Sequence, residues 1–106
     1  MSEILKADKV FKEANKYLEE NNFNAALKIY SESIEDFKRV GEMKSVAKFL
    51  SCMGCIYYDQ NKFDEALRYF NKAYVITRDI KDEFGMGHVL RHKSQVFFKI
   101  GDYDNK

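Results

Sequence analysis

The sequence predicts an all-α fold of stacked antiparallel helical hairpins, about five helices in all, on three observations. Residues 61–74 read NKFDEALRYFNKAY and residues 21–34 read NNFNAALKIYSESI, so one phrase occurs twice, forty positions apart. Self-similarity at such a period marks a repeat architecture in which each unit is one supersecondary element. Apolar residues recur at three- and four-residue steps between the turn-like Asn21-Asn22, Gly41 and Asn61, and the chain contains no proline to interrupt a long helix.

The first helix is expected over about Glu3 to Glu20, where Leu5 or Val10, Ala14, Tyr17 and Leu18 form a stripe that Asn21-Asn22 ends. The second runs from about Asn24 to Val40 on Ala26, Leu27, Tyr30, Ile34 and Phe37, with Gly41 as its C-terminal stop. The third, about Met43 to Gln60, aligns Val46, Leu50, Met53, Gly54 and Tyr57. The fourth, about Phe63 to Ile80, repeats the second with Ala66, Leu67, Phe70, Ala73 and Tyr74, and the fifth, about Glu83 to Ile100, carries Val89, Leu90, Phe97 and Ile100. Rods of about seventeen residues are roughly 25 Å long. Their short connections force neighbours to run antiparallel.

Gly54 stands mid-helix, where glycine costs about 1 kcal/mol relative to alanine. It shares its register with Ala14 and Ser94, forty residues to either side. Close approach of two helices is the expected reason, with Ala26 and Ala66 as the matching small surface. One domain then covers residues 1–106: repeat 1 about 3–41, repeat 2 about 42–81, and an incomplete repeat 3 about 82–106. Gly101-Asp102-Tyr103 opens a further phrase, but only three residues follow, so the fifth helix is expected to lack a hairpin partner. Arg91, Lys93 and Ser94 make its outer face partly polar, whereas Phe97 and Ile100 make it apolar. Either further repeats of a longer array cover that face or it is a self-association surface.

Composition narrows the function classes. Eighteen basic and seventeen acidic residues give a net charge of +1, which supplies no field for a phosphate backbone or an anionic membrane. Neither nucleic acid nor membrane is an expected partner. The N-terminal segment alternates charged and apolar residues, unlike a signal peptide, and two cysteines are too few for a disulfide framework. The expectation is a soluble, cytoplasmic protein without a cofactor.

Leu50, Met53-Gly54 and Tyr57, followed by Ala66, Phe70 and Ala73, resemble the tetratricopeptide repeat (TPR), in which a large apolar residue, a Leu-Gly pair and Tyr precede Ala, Phe and Ala at these spacings. Val10, Ala14, Tyr17, Ala26, Tyr30 and Ser33 fit more loosely, and Leu90, Ser94 and Phe97 begin a third copy. The forty-residue period resembles the longer-helix variant of that family. The resemblance implies a right-handed superhelix acting as a non-catalytic scaffold for protein–protein interaction, with a concave groove lined by the first helix of each hairpin. Carried onto this chain, the groove would show Phe11, Lys12, Asn15 and Leu18, then Lys48, Ser51, Cys52, Cys55 and Tyr58, then His88, Arg91, His92, Gln95 and Phe98. Lys12, Lys48, Arg91 and His92 tilt it toward positive, favouring an acidic peptide or partner helix. The carboxylate clamp that some members use for chaperone tails is not matched: Asn15 fits, but Phe11, Cys52, His88 and His92 replace its other four residues.

A different class of function would use Cys52, Cys55, His88 and His92 as a metal- or redox-responsive module. Two thiolates three apart on one helix and two imidazoles four apart on the next could satisfy tetrahedral zinc. The intervening thirty-two residues match no zinc-finger spacing, and ordinary packing of small thiols is the favoured reading, with no metal. Asp59, Asp64 and Glu65 fall at helix ends, where acids face solvent, and Gly85-x-Gly87 follows no strand, so no enzyme is expected.

Overall fold

The computed structural model describes residues 6–104, which form five helices and no strand. They are α1 (Ala7–Glu19), α2 (Phe23–Arg39), α3 (Met43–Asp59), α4 (Phe63–Asp79) and α5 (Glu83–Asp104). The three central helices match the sequence-based boundaries to within a residue. The first begins later, because Lys6 is extended and precedes the first turn; the Leu5 alternative and the start at Glu3 lie outside the described residues.

The period of the sequence is written into the backbone. Asn21, Gly41, Asn61 and Lys81, spaced by twenty residues, all have φ between +59° and +78°. At each, the next N–H donates back across the helix end: Asn22 to the Tyr17 carbonyl, Glu42 to Phe37, Lys62 to Tyr57 and Asp82 to Thr77, at 2.8–2.9 Å. Asn21, Gly41, Asn61 and Lys81 themselves donate to Leu18, Lys38, Tyr58 and Arg78. These are four Schellman ends, which cap otherwise orphaned carbonyls and return the chain on itself. Asn and Gly enter the left-handed region readily, and Lys does not.

Gly101 would be the fifth member of this series, but it remains helical and α5 continues to Asp104 instead of ending near Ile100. No further helix packs back beyond it among the described residues. Continuing the i→i−4 ladder then satisfies the carbonyls that a turn would have to cap.

Consecutive helices pack against one another throughout. Between α3 and α4 the contact is closer than two small surfaces meeting: a Cβ on Gly54 would stand 2.6 Å from the Phe70 ring. Thus Phe70, rather than Ala66, is what Gly54 makes room for, although Ala14, Ala26 and Ala66 are all fully buried. Between the first two hairpins, Phe49 gathers Phe11, Tyr30 and Phe37 at ring-centroid distances of 5.3, 5.8 and 4.9 Å. Tilted and edge-on arrangements of this kind are favourable beyond the area they bury. Since α3 is enclosed by α2 as well as α4, Phe49 and Ile56 join the expected stripe in the core.

The α5 stripe is corrected. Val89 and Val96 are buried against α4, whereas Leu90 and Phe97 are 44% and 57% exposed. Leu90, Ser94 and Phe97 occupy the places of Leu50, Gly54 and Tyr57, which α4 covers in the preceding repeat. Among the described residues no helix covers them here. Gly85 is needed at the start of α5, because a Cβ would press on the Asp82 carboxylate, which accepts the Gly85 N–H at 3.0 Å, and on Thr77.

Two outcomes follow for stability. Gly54→Leu should lower unfolding free energy by about 1–3 kcal/mol through overpacking against Phe70, measured by urea denaturation; an unchanged midpoint would contradict the contact. Lys81→Gly should raise stability by up to about 1 kcal/mol by relieving a side chain held at positive φ, read in the same assay as a higher midpoint at constant slope.

Candidate functional site

A groove of about 360 Å³ lies between α3 and α5, and the turn before α5 closes one end of it. Helix α3 contributes Lys44, Lys48, Ser51, Cys52 and Cys55 to its lining; α5 contributes Phe84, His88 and His92. The spacing explains the gathering: 48, 51, 52 and 55 lie on one face of a 3.6-residue helix, as do 84, 88 and 92. The sequence therefore brings Lys48, Ser51, Cys55 and His92 to one surface, with Cys52 and His88 beside them.

Other expected site residues lie elsewhere. Phe11 packs into the inter-hairpin aromatic cluster, 6.2 Å from Tyr30 by ring centroid. Leu18 is packed against the core, while Lys12 and Asn15 are exposed on α1. Tyr58 tilts against Phe63 at the α3–α4 turn. Arg91, Gln95 and Phe98 are exposed further along α5. Sequence reasoning missed Phe84, which is 86% exposed, together with Lys44 and Asp82. Continuing the stripe of His88 and His92 back by one turn reaches Phe84, and continuing that of Lys48 reaches Lys44.

Rings line the α5 side as a ladder. Phe84 meets His88 at 6.4 Å, His88 meets His92 at 4.8 Å, and His92 lies flat on the buried Phe70 at 5.2 Å with 6° between planes. Burial pushes His92 below the usual histidine range, with the neighbouring His88 adding to it and a hydrogen bond to Gln95 opposing it. Its ring stays neutral at neutral pH.

On the α3 side, Cys55 Sγ is 3.9 Å from His92 Nδ1 and 4.0 Å from Nε2. Burial, then the nearby Cys52 and Asp59, push the Cys55 thiol up to about 12. Burial also raises Cys52, while a hydrogen bond with Tyr30 pulls the other way. A nucleophilic or metal-binding cysteine must be a thiolate, and here both environments favour the thiol. Among the described residues no three His, Cys, Asp or Glu side chains converge as metal ligands would. Cys52 pairs with Tyr30, and Cys55 with His92.

A second depression, of about 470 Å³, lies between α2 and α4 over Ile34, Leu50 and Met53, with Lys72 and Val75 at its edge. Among the described residues no helix is long and apolar enough to cross a membrane.

The depressed His92 value has a sign. Between its folded value and the ordinary histidine range the unfolded chain binds more protons, so stability rises with pH there and is lost on acidification. Thermal midpoints measured from about pH 7.5 to about pH 5.5 should fall, and His92→Gln should flatten that slope.

Residues 47–79, from within α3 to the end of α4, match the family model of the tetratricopeptide repeat. No curated protein matches the chain. The matched segment is the hairpin in which Phe70 sits on Gly54, and five consecutively packed helices turning every twenty residues extend its geometry to either side. Residues 47–79 thus carry a tetratricopeptide repeat, and the five-helix architecture around them fits a protein built of such repeats.

Proposed function

We propose that this chain is a non-catalytic protein-interaction module whose α3–α5 groove receives an acidic segment of a partner protein, extended or helical. The observation that carries the reading is the balance of charge in the groove. Lys44 and Lys48 line it, whereas the one carboxylate among its described lining residues, Asp82, is engaged with the Gly85 N–H. Arg91 adds a further exposed cation on α5. A chain of net charge +1 thus concentrates positive potential where a segment would lie, which favours encounter with an acidic partner and disfavours a basic one. The two thiols are unpaired and held protonated, which suits a reducing, cytoplasmic setting.

A second reading concerns Leu90, Ser94 and Phe97 on α5, which no helix covers among the described residues: such a face serves either the docking of further repeats or self-association. A strictly monomeric species in light scattering at high concentration would exclude self-association.

The groove reading predicts that Lys48→Glu and Arg91→Glu each weaken binding of an acidic partner segment by roughly tenfold or more at low salt. Helical content by circular dichroism should be unchanged, because both side chains are exposed. Equal binding by both variants would overturn the assignment of the groove.

A further inference from the structure

The histidine pair gives this groove a property that lysines alone would not. His88 and His92 face each other at 4.8 Å on the α5 wall, and Lys44 and Lys48 line the opposite wall on α3. The groups around the pair can be named from each side. Helix α3 presents the two lysines, with Cys52 and Cys55 as neutral thiols and Asp59 beyond Cys55. Helix α4 presents Phe70 and Thr77, neither charged, and the turn presents Asp82, already bonded to a backbone N–H. From α5 itself come Arg91 and Gln95.

Three cations, Lys44, Lys48 and Arg91, thus stand around the pair against two carboxylates, Asp82 and the more distant Asp59, and protonating a ring in the free groove adds to a positive excess in a half-buried place. A bound carboxylate reverses that balance. It neutralises the lysine field and offers an acceptor to an imidazolium N–H, making a charge-assisted hydrogen bond. Resting on the groove reading above, we infer that His88 and His92 form a proton-accepting subsite for carboxylates, so that an acidic protein segment enters this groove together with a proton taken from solvent. By linkage, if the segment favours the protonated pair, protons must favour the segment by the same factor.

The ladder geometry supports a division of labour. His92 is fixed flat against the buried Phe70 and half-covered, so it can turn little. His88 is exposed and edge-on to Phe84, free to reorient toward an incoming carboxylate. The pair can thus share one added proton between a fixed ring and a mobile one without moving the helix.

The test is isothermal titration of the whole chain with an end-capped hexaglutamate peptide at about pH 7.5 and about pH 6.0, in pairs of buffers that differ in ionisation enthalpy. Glutamate carboxylates stay ionised over this range, so any proton uptake belongs to the protein. The expected result is affinity that rises roughly fivefold or more on acidification, with net proton uptake on binding. Uptake and pH dependence should both shrink in His88→Gln, whose exposed position leaves the fold intact, and in His92→Gln. Binding that occurs without proton uptake, or whose pH dependence survives both substitutions, overturns the subsite and leaves the groove reading standing. Absence of binding at either pH overturns both.

Discussion

The seat of the Phe70 ring on Gly54 is the contact on which the rest of this molecule is arranged. Because position 54 has no side chain, α4 comes close enough to α3 for a fully buried aromatic ring to lie against its backbone. That approach sets the rotation of α3, so that Phe49 and Ile56 turn toward the first hairpin while Lys48, Cys52 and Cys55 turn toward the groove. The same ring carries the flat face of His92. One phenylalanine thus links the hairpin core to the groove wall, and a cavity or clash there would be felt at both. In the preceding repeat the corresponding places are Ala14, Tyr30 and Cys52, and Tyr30 likewise touches Cys52. The repeat conserves the arrangement, and residue choice varies the chemistry it displays.

Much of this was legible beforehand. A forty-residue period, a stripe at helical spacing and small residues at Ala14, Ala26, Gly54 and Ala66 were enough to place five helices and their turns. What they could not reveal was direction within a face. Leu90 and Phe97 fit the stripe as well as Leu50 and Tyr57 do, and what separates them is that α4 covers Leu50 and part of Tyr57, whereas no helix among the described residues covers Leu90 and Phe97. Gly101 resembles the turn residues by position and type, yet it stays helical within α5. The groove was half legible. Cys52, Cys55, His88 and His92 were placed on facing helices by spacing alone, but whether four such groups converge depends on the splay of α3 and α5, and helix periodicity carries no information about splay. Phe11 misled for a related reason: it shares the register of Ser51 and Arg91, and its bulk draws it under Phe49.

The groove also shows how a nearly neutral chain acquires a polarised surface. Acids are spent at helix starts and in short-range surface pairs such as Glu35 with Lys38 and Asp36 with Arg39, where exposed pairing contributes little to stability. The cations facing the groove lack such partners among its lining residues. Local arrangement, rather than net charge, decides what this surface attracts.

Helix α5 follows the one turn of the four whose left-handed residue is a lysine, and among the described residues its buried apolar anchors are Val89 and Val96. Elements with few buried apolar anchors open at the lowest free-energy cost. The wall that carries both histidines therefore has fewer buried anchors than the opposite wall, α3, which buries Val46, Ala47, Phe49, Leu50, Met53 and Ile56. On that contrast, any widening of the groove costs less through α5 than through α3, whose core contacts hold it in place.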